Sequence, residues 1–452
     1  MGRDDLGMGW IERARGAAGP IYLALADALE AAVRGGELQP GDRLPPQRTV
    51  AERLGVDFTT VTRAYGLARE RGLLEGAVGR GSFVRARTDD DEVGLVDLSM
   101  NLPPPPDGVS LAELLAETTG SILRRADVAT LMAYHPGAGT ASQRAAGAAW
   151  CAPVIGDVPP ERMLVAAGAQ AALAATLATL CRQGDAVACE PLIYPGLKTS
   201  ARQLGLHLVP CAADSEGPEP DAFEALCRAG PPAAVYLTPA MQNPTATTMG
   251  EARRRRIVEI AERHGVWIIE DDPYSRLLDA PSPALAALAP ERTVHIATTA
   301  KTLSPGLRIA FVAAPEAVAG RLAEGLRGFS LMASPLAAAV LTRWIREGQA
   351  EAILAGVRAE ARARRALAAE ILPQAVGEAT SLHVWASAPS GLGGERLRAA
   401  AAARGLSLMP AEAFAVGDAW PNGLRISLGA PRSRAVLGKA LTATAALLRE
   451  AA

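Results

Sequence analysis

Lysine is nearly missing from this 452-residue chain: Lys198, Lys301 and Lys439 are the only three among 46 basic residues. Chemistry that needs a side-chain amine therefore has three candidates. The five cysteines (Cys151, Cys181, Cys189, Cys211, Cys227) form no C-x-x-C pair and leave one over from any pairing. Neither a disulfide framework nor a metal site is expected; reduced cysteines acting as small hydrophobes are. No charge of one sign prevails, the formal net charge being −2. That excludes a chain that coats nucleic acid over its whole surface, but not a small DNA-reading domain on a neutral body. Met1 to Trp10 lacks an apolar stretch behind a basic one, so no signal peptide is expected. The longest small-apolar run, Ala166 to Cys181, carries Gln170 and falls short of a membrane span. A cytoplasmic chain without membrane contact is the expectation. No repeat of solenoid period is apparent.

With 49 % hydrophobic and 21 % charged residues, most of the length can bury a core, and two or three domains fit. Residues 1–18 read as a flexible tail. From Pro20 a helical period sets in (Ile21, Leu25, Leu29, Val33) and stops at Gly35-Gly36. A short helix carrying Val50 and Leu54, then Gly55, then a helix carrying Val61, Tyr65 and Ala68 form a helix-turn-helix pattern. Two strand-like pieces, Leu73–Glu75 and Ser82–Arg85, flank Gly79-Arg80-Gly81 as a hairpin wing. Residues 86–96 are short, acidic and patternless, which marks a linker.

Beyond the proline cluster at 103–106, apolar strand-like runs alternate with helical stretches: Met163–Ala166, Ala186–Cys189, Leu206–Val209, Ala234–Leu237, Val266–Ile269 and Val294–Ala297. Such alternation predicts a parallel α/β sheet, with a large part over about 130–320. A smaller part over about 330–452 turns Ala/Arg-rich and helical, with strands near His383–Trp385 and Leu424–Leu428. The basic run Arg253–Arg256 reads as a solvated helix face.

At the DNA-reading end, base contact needs donors at the start of the second helix, where Thr59, Thr60 and Arg63 stand. Arg43 and Arg48 lie upstream, and Arg80 sits between Gly79 and Gly81, which let the backbone approach a duplex. Between Arg43 and Arg87 nine arginines face four acids, a phosphate-binding footprint. The string GDRLPPQRTVAERLGVDFTTVTRAYGLARERGLL followed by GRGSFV resembles the GntR family of winged-helix regulators over residues 19–85. It departs at Phe58, where the family usually has arginine, and at Pro46, where a small residue is usual.

At the other end, three strand ends belong together. One leads to TPAMQNPTA with Asn243, the next ends at Asp271, the third leads to Lys301. The successive spacings of 28 and 30 residues are each about one strand-helix repeat, and ligands of α/β sheets sit beyond such ends. An amide, a carboxylate and an amine suit pyridoxal phosphate, whose aldehyde condenses with a lysine and whose ring nitrogen needs a carboxylate. Its phosphate needs a helix N-terminus, offered by Gly168-Ala169-Gln170, and a cation, offered by Arg308.

Residues 97–452 resemble a fold-type-I aminotransferase, and the order of parts resembles the MocR subgroup of GntR regulators: a multidomain chain with an N-terminal winged helix-turn-helix and an α/β aminotransferase-like domain. The resemblance implies that Lys301 carries the cofactor, that Asp271 pairs with its ring nitrogen and that Asn243 and Tyr274 hold its phenolate oxygen. It further implies that Tyr194 stacks on the ring, Arg308 binds the phosphate and Tyr134 reaches the cofactor of a partner subunit. Arg425, in NGLRISLG, matches the arginine that grips a substrate carboxylate. A homodimer, a double-stranded operator and a small amine or amino-acid effector follow, with no metal; an active aminotransferase carrying a DNA-binding domain is the alternative. Three departures thin the phosphate cup or its surroundings. Ala246 replaces the usual glycine of N-P-T-G, Thr298-Thr299-Ala300 has one hydroxyl fewer before the lysine, and the helix start is Ala167-Gly168-Ala169. The cup then leans on backbone N–H groups, Thr298 and Arg308; each missing neutral hydrogen bond costs roughly 0.5–1.5 kcal/mol, so moderate cofactor affinity is expected.

Overall fold

A computed structural model describes residues 9–15, 19–34, 37–38, 41–77, 81–84, 95–135, 137–389 and 393–450. The wing-tip residues Gly79 and Arg80, and positions 86–94 of the expected linker, lie outside the described residues. The chain divides into two units, Met1–Gly94 and Leu95–Ala452.

In the first unit, helices α1 (Gly9–Ala14), α2 (Ile21–Arg34), α3 (Gln47–Leu54) and α4 (Phe58–Glu70) precede an antiparallel hairpin of β1 (Leu74–Ala77) and β2 (Gly81–Val84). Leu25 and Leu29 of α2, Val50 and Leu54 of α3 and Val61, Tyr65 and Ala68 of α4 converge on one core. Gly55 ends α3 with φ +67, its N–H returning to Ala51 and Glu52 carbonyls, and Asp57 then caps α4 by accepting from the Thr59 N–H at 2.7 Å. A left-handed residue followed by a capped start gives the tight turn between the two helices. The tail reading of 1–18 needs correction: α1 buries Trp10 and Ile11 completely in the same core. Two large apolar side chains outweigh the weak local tendency of a six-residue helix.

The second unit is built on a seven-stranded sheet. Its strand order is Met163–Ala166, Ala310–Ala313, Thr293–Thr298, Trp267–Asp272, Ala234–Leu237, Ala186–Cys189, His207–Pro210. The parallel reading is corrected at Ala310–Ala313, which runs antiparallel to both neighbours. The connection 299–309 holds only a 3-10 turn, too short for the crossover a parallel return requires, so the chain doubles back. Helices cover both faces, and buried clusters lie on each.

A smaller three-stranded sheet joins His383–Ser387, Gly423–Ser427 and Met409–Pro410. The boundaries drawn near residues 96 and 330 both shift. Val96–Asp97 is a strand paired with Leu406–Ser407, and Leu98 is buried in the small part's core, so the linker reading fails at its last position. Val340, Leu341, Trp344, Ile353 and Val357 bury into the large part's core; the small part begins midway along the Gln349–Ile371 helix, whose Ala368 joins the other cluster. Apolar burial, not a change in composition, sets these borders. All five cysteines are buried and unpaired. Among the described residues no helix is long and apolar enough to cross a membrane, and no group of three metal-ligating side chains occurs.

Candidate cofactor site and nucleic-acid interface

The strands ending before Asn243, at Asp271–Asp272 and before Lys301 are neighbours in the sheet, so their carboxyl ends open onto one pocket. Asp271 is buried and accepts from the Tyr236 hydroxyl at 2.6 Å. Burial pushes its carboxyl up to about 6 against the pull of that hydrogen bond. His295 lies 3.0 Å from Glu270 and 3.7 Å from Asp272; burial opposes its charge, yet the carboxylates hold its pKa raised. A cation beside Asp271 would keep it ionised, since an opposite charge favours the charged form.

Lys301 is largely buried, which pushes its amine down to about 8, with Arg425 and Arg308 adding to the effect. Its Nζ donates to the Asn101 carbonyl. Asn101 also donates through Nδ2 to the Tyr274 hydroxyl at 2.8 Å and meets His383 Nδ1 at 3.0 Å. His383 Nε2 faces the Gln242 carbonyl at 3.0 Å, so Nε2 carries the proton and Nδ1 accepts. Burial holds this imidazole neutral, down to about 3. Arg425 is buried; it donates to Asn243 Oδ1 at 2.8 Å and to the Ser99 carbonyl, while its Nε has no partner. Its charge has no ion pair among the described residues, which is an expensive arrangement unless an anion arrives.

At the start of the Ala169–Leu180 helix, Gly168 has φ +93, and a Cβ there would stand 2.8 Å from the Arg308 guanidinium. Free helix N–H groups thus lie beside an exposed cation. Of the hydroxyls before Lys301, Thr299 is spent on the Ile309 carbonyl at 2.9 Å, and Thr298 accepts from Ala300 N. Gln170 turns its amide to Gly196 and Ser200, leaving its backbone N–H for the cup. Tyr194 is half-buried within electrostatic reach of Asp271, Arg308 and Arg425; burial raises its phenol. Tyr134 is not brought in: it is 79 % exposed. These observations fit pyridoxal phosphate, with an anion cup, a buried carboxylate, a deprotonatable amine, and the orphaned Arg425 Nε and Asn101 Oδ1 in one constellation.

Two supporting residues, Tyr236 and Asn101, carry no expectation from sequence, and a third, Arg254, overturns one. Tyr236 and Asn101 sit in apolar and proline-rich surroundings that read as plain structure. Arg254, expected on a solvated face, is fully buried and donates to the Pro239, Met249 and Pro283 carbonyls; it pins the loop that delivers Asn243. In that loop Ala246 is buried with φ +57, which accounts for glycine being usual there. The left-handed region costs a residue with a Cβ roughly 1–2 kcal/mol, while glycine returns about 0.4–1 kcal/mol of chain freedom to the unfolded state. Ala246→Gly is therefore expected to stabilise the protein by about 0.5–1 kcal/mol, seen as a higher urea midpoint at unchanged slope; a lower midpoint would show that the loop is relaxed with alanine.

On the first unit, Arg43 and Arg48 are exposed, and Gly81 lies against Arg43 with φ +111. The Thr59 hydroxyl donates to Asp57 at 2.5 Å, so the cap claims that donor, and Thr60 is half-buried. Phe58, Thr59, Thr62, Arg63 and Arg69 of α4 are exposed, and Arg63 stacks 4.3 Å over the Tyr22 ring.

The profile described as "Aminotransferase class I and II" matches residues 94–443, and that described as "Bacterial regulatory proteins, gntR family" matches residues 21–84. The chain is 31 % identical over 437 residues to the uncharacterized HTH-type transcriptional regulator YdeF of Bacillus subtilis, covering 94 % of each chain. It is 30 % identical over 360 residues to the "Probable rhizopine catabolism regulatory protein MocR" of Rhizobium meliloti, covering 73 % of this chain and 72 % of that one. Its fold is similar to the crystal structure of LysN, an alpha-aminoadipate aminotransferase from Thermus thermophilus complexed with N-(5'-phosphopyridoxyl)-L-leucine. That likeness has a TM-score of 0.73 at 25 % identity, over 85 % of this chain and 98 % of that one.

Proposed function

Since the chain belongs to the MocR subgroup of gntR-family regulators, with a helix-turn-helix unit fused to an aminotransferase class I and II domain, we propose that its pocket binds pyridoxal phosphate and an amino compound and reports their presence as a change in DNA binding. The observation that carries this is a cofactor pocket holding a buried, ion-pair-free Arg425 in a chain that also carries a DNA-reading unit. Pyridoxal phosphate, when bound, supplies an electrophilic carbon for amines and a ring that withdraws electrons. Asp271 would hold a proton at the ring nitrogen, Arg308 and the helix at Gly168 would hold the phosphate, and Asn243 and Tyr274 would hold the phenolate oxygen. Lys301 offers its amine, and Arg425 selects ligands with a carboxylate.

Leu115 and Leu123 lie exposed on one face of the Leu111–Arg125 helix, and Met132, Tyr134, Phe329 and Leu331 are exposed as well. So much uncovered apolar surface supports a homodimer, in which Tyr134 serves the partner's pocket. We assign the chain to the cytoplasm, on the nucleoid. The test is binding to a duplex from upstream of its own gene, with and without pyridoxal phosphate and amino acids; identical affinity throughout would sink the sensor reading. The intact set Lys301, Asp271 and Arg425 also supports a working aminotransferase, which an assay against an amino-acid panel decides.

For the DNA-reading unit, Arg48→Ala is expected to weaken binding and lower the salt slope by about 0.9, the value of one phosphate contact. Cofactor binding should be untouched. Unchanged anisotropy titrations at several salt concentrations would remove Arg48 from the interface.

A further inference from the structure

The path of residues 96–107 brings main-chain oxygens to the groups the pocket needs. Val96–Asp97 pairs with Leu406–Ser407, and Leu98 exchanges backbone hydrogen bonds with Ser407 and Ser427. Asp97 Oδ1 then accepts from Ser99 N at 2.7 Å, Ser99 Oγ at 2.6 Å and Met100 N at 3.2 Å. This turn aims three carbonyls inward. Arg425 donates to Ser99 O, Ser427 Oγ to Met100 O at 2.6 Å, and Lys301 to Asn101 O. Further on the chain lies hard against two glycines: a Cβ at Gly429 would stand 1.8 Å from the Leu102 oxygen, and one at Gly356 2.5 Å from the Asp107 oxygen.

We propose that Ser99–Asn101 is an internal occupant of the pocket: a carboxylate on Arg425 and an aldehyde on Lys301 must displace it, and its displacement alters DNA binding by the first unit. The inference rests on the ligand reading above. A carboxylate offers a guanidinium two charged acceptors and outcompetes one neutral carbonyl. When the Lys301 nitrogen bonds the aldehyde carbon, its two amine protons leave with the aldehyde oxygen as water, and the donor to Asn101 O goes with them. Both events release the same three residues. Only Leu95–Leu98 separate them from the segment that leads to the DNA-reading unit.

Asp97 and Ser427 hold this stretch yet belong to neither the cofactor set nor the DNA-reading set; Ser427→Ala loosens the occupant alone, and Asp97→Ala loosens it while also removing a charge that acts on Arg425. If it competes, full-length Ser427→Ala binds pyridoxal phosphate about fivefold tighter than wild type, the worth of one neutral hydrogen bond, and Asp97→Ala, which removes three bonds to a carboxylate, tightens it at least as much. A scaffolding role predicts weaker binding instead. In wild type, hydrogen exchange at residues 98–101 should quicken on loading with pyridoxal phosphate and L-leucine, and the unloaded variants should show the DNA affinity of loaded wild type. Equal or weaker cofactor binding in both variants, or slower exchange on loading, overturns the competition. Tighter cofactor binding with DNA affinity unmoved overturns the relay. A wild type whose DNA affinity ignores loading defeats the regulator reading, while the cofactor affinities still decide whether the stretch competes.

Discussion

Lys301→Ala protein should be colourless after loading with pyridoxal phosphate and dialysis, whereas wild type stays yellow and gives a borohydride-stable adduct on that one residue. Lys198 reaches the Ala413 carbonyl and Lys439 lies on the Arg434–Glu450 helix, so neither can substitute from its place in the fold. Residual cofactor should still bind through Asp271, Arg308 and the helix start, but reversibly, so that dialysis removes it. The pH dependence follows from the amine. Burial pushes Lys301 down to about 8, and only the neutral amine attacks an aldehyde. The initial rate of capture should rise about tenfold per pH unit below that value and flatten above it. A borohydride-stable adduct in Lys301→Ala, or a capture rate still climbing steeply well above pH 8, would place the attacking amine elsewhere.

Arg425→Ala should leave the yellow colour intact and abolish most of the response to amino acids. The guanidinium is buried over the Phe414 ring, its Nε is unpartnered, and its hydrogen bonds go to one amide oxygen and one main-chain carbonyl. Removing it strands a ligand carboxylate in a closed pocket, a loss of about 2–5 kcal/mol, or roughly 30-fold to several thousand-fold in affinity. Arg425→Lys should recover only part of this, because an ammonium cannot make the paired fork and leaves Asn243 without its donor. Spectral titration with an amino acid and with the corresponding decarboxylated amine separates the effects: the amine should lose far less. If both ligands bind the variant as wild type does, the carboxylate is held by another group.

The cofactor constellation was legible because Asn243, Asp271 and Lys301 follow three neighbouring strands, and the strand-helix repeat converts sequence spacing into lateral spacing across a sheet. Where that conversion fails, so did the reading. Asn101 meets Lys301 across 200 residues through a main-chain oxygen that any residue type possesses, so no side-chain pattern announces it. Tyr236 has the composition of an ordinary strand residue, and only the register of its strand against Asp271's reveals the hydroxyl's task. Thr59 was legible in principle, since Asp-x-Thr is a capping pattern that claims the hydroxyl for the helix start. Trp10 was not, because six residues give too little periodicity to tell a docked helix from a tail. The antiparallel strand Ala310–Ala313 is absent from the runs read as strands; the brevity of the connection before it is the available signal.

That same connection has a consequence for how the chain can vary. Residues 299–309 are closed at their base by the pairing of Thr298 with Ala310, and they carry Lys301 near one end and Arg308, at φ +54, near the other. The amine and the guanidinium are therefore mounted on a single hairpin-like bracket whose span is set by residue count. Substitutions between them can be absorbed locally. A one-residue insertion or deletion instead shifts the spacing between the two groups and moves both relative to a rigid ligand at once. Length therefore constrains this stretch more than composition does: a single-residue deletion between Lys301 and Arg308 should disturb cofactor binding more than a substitution there.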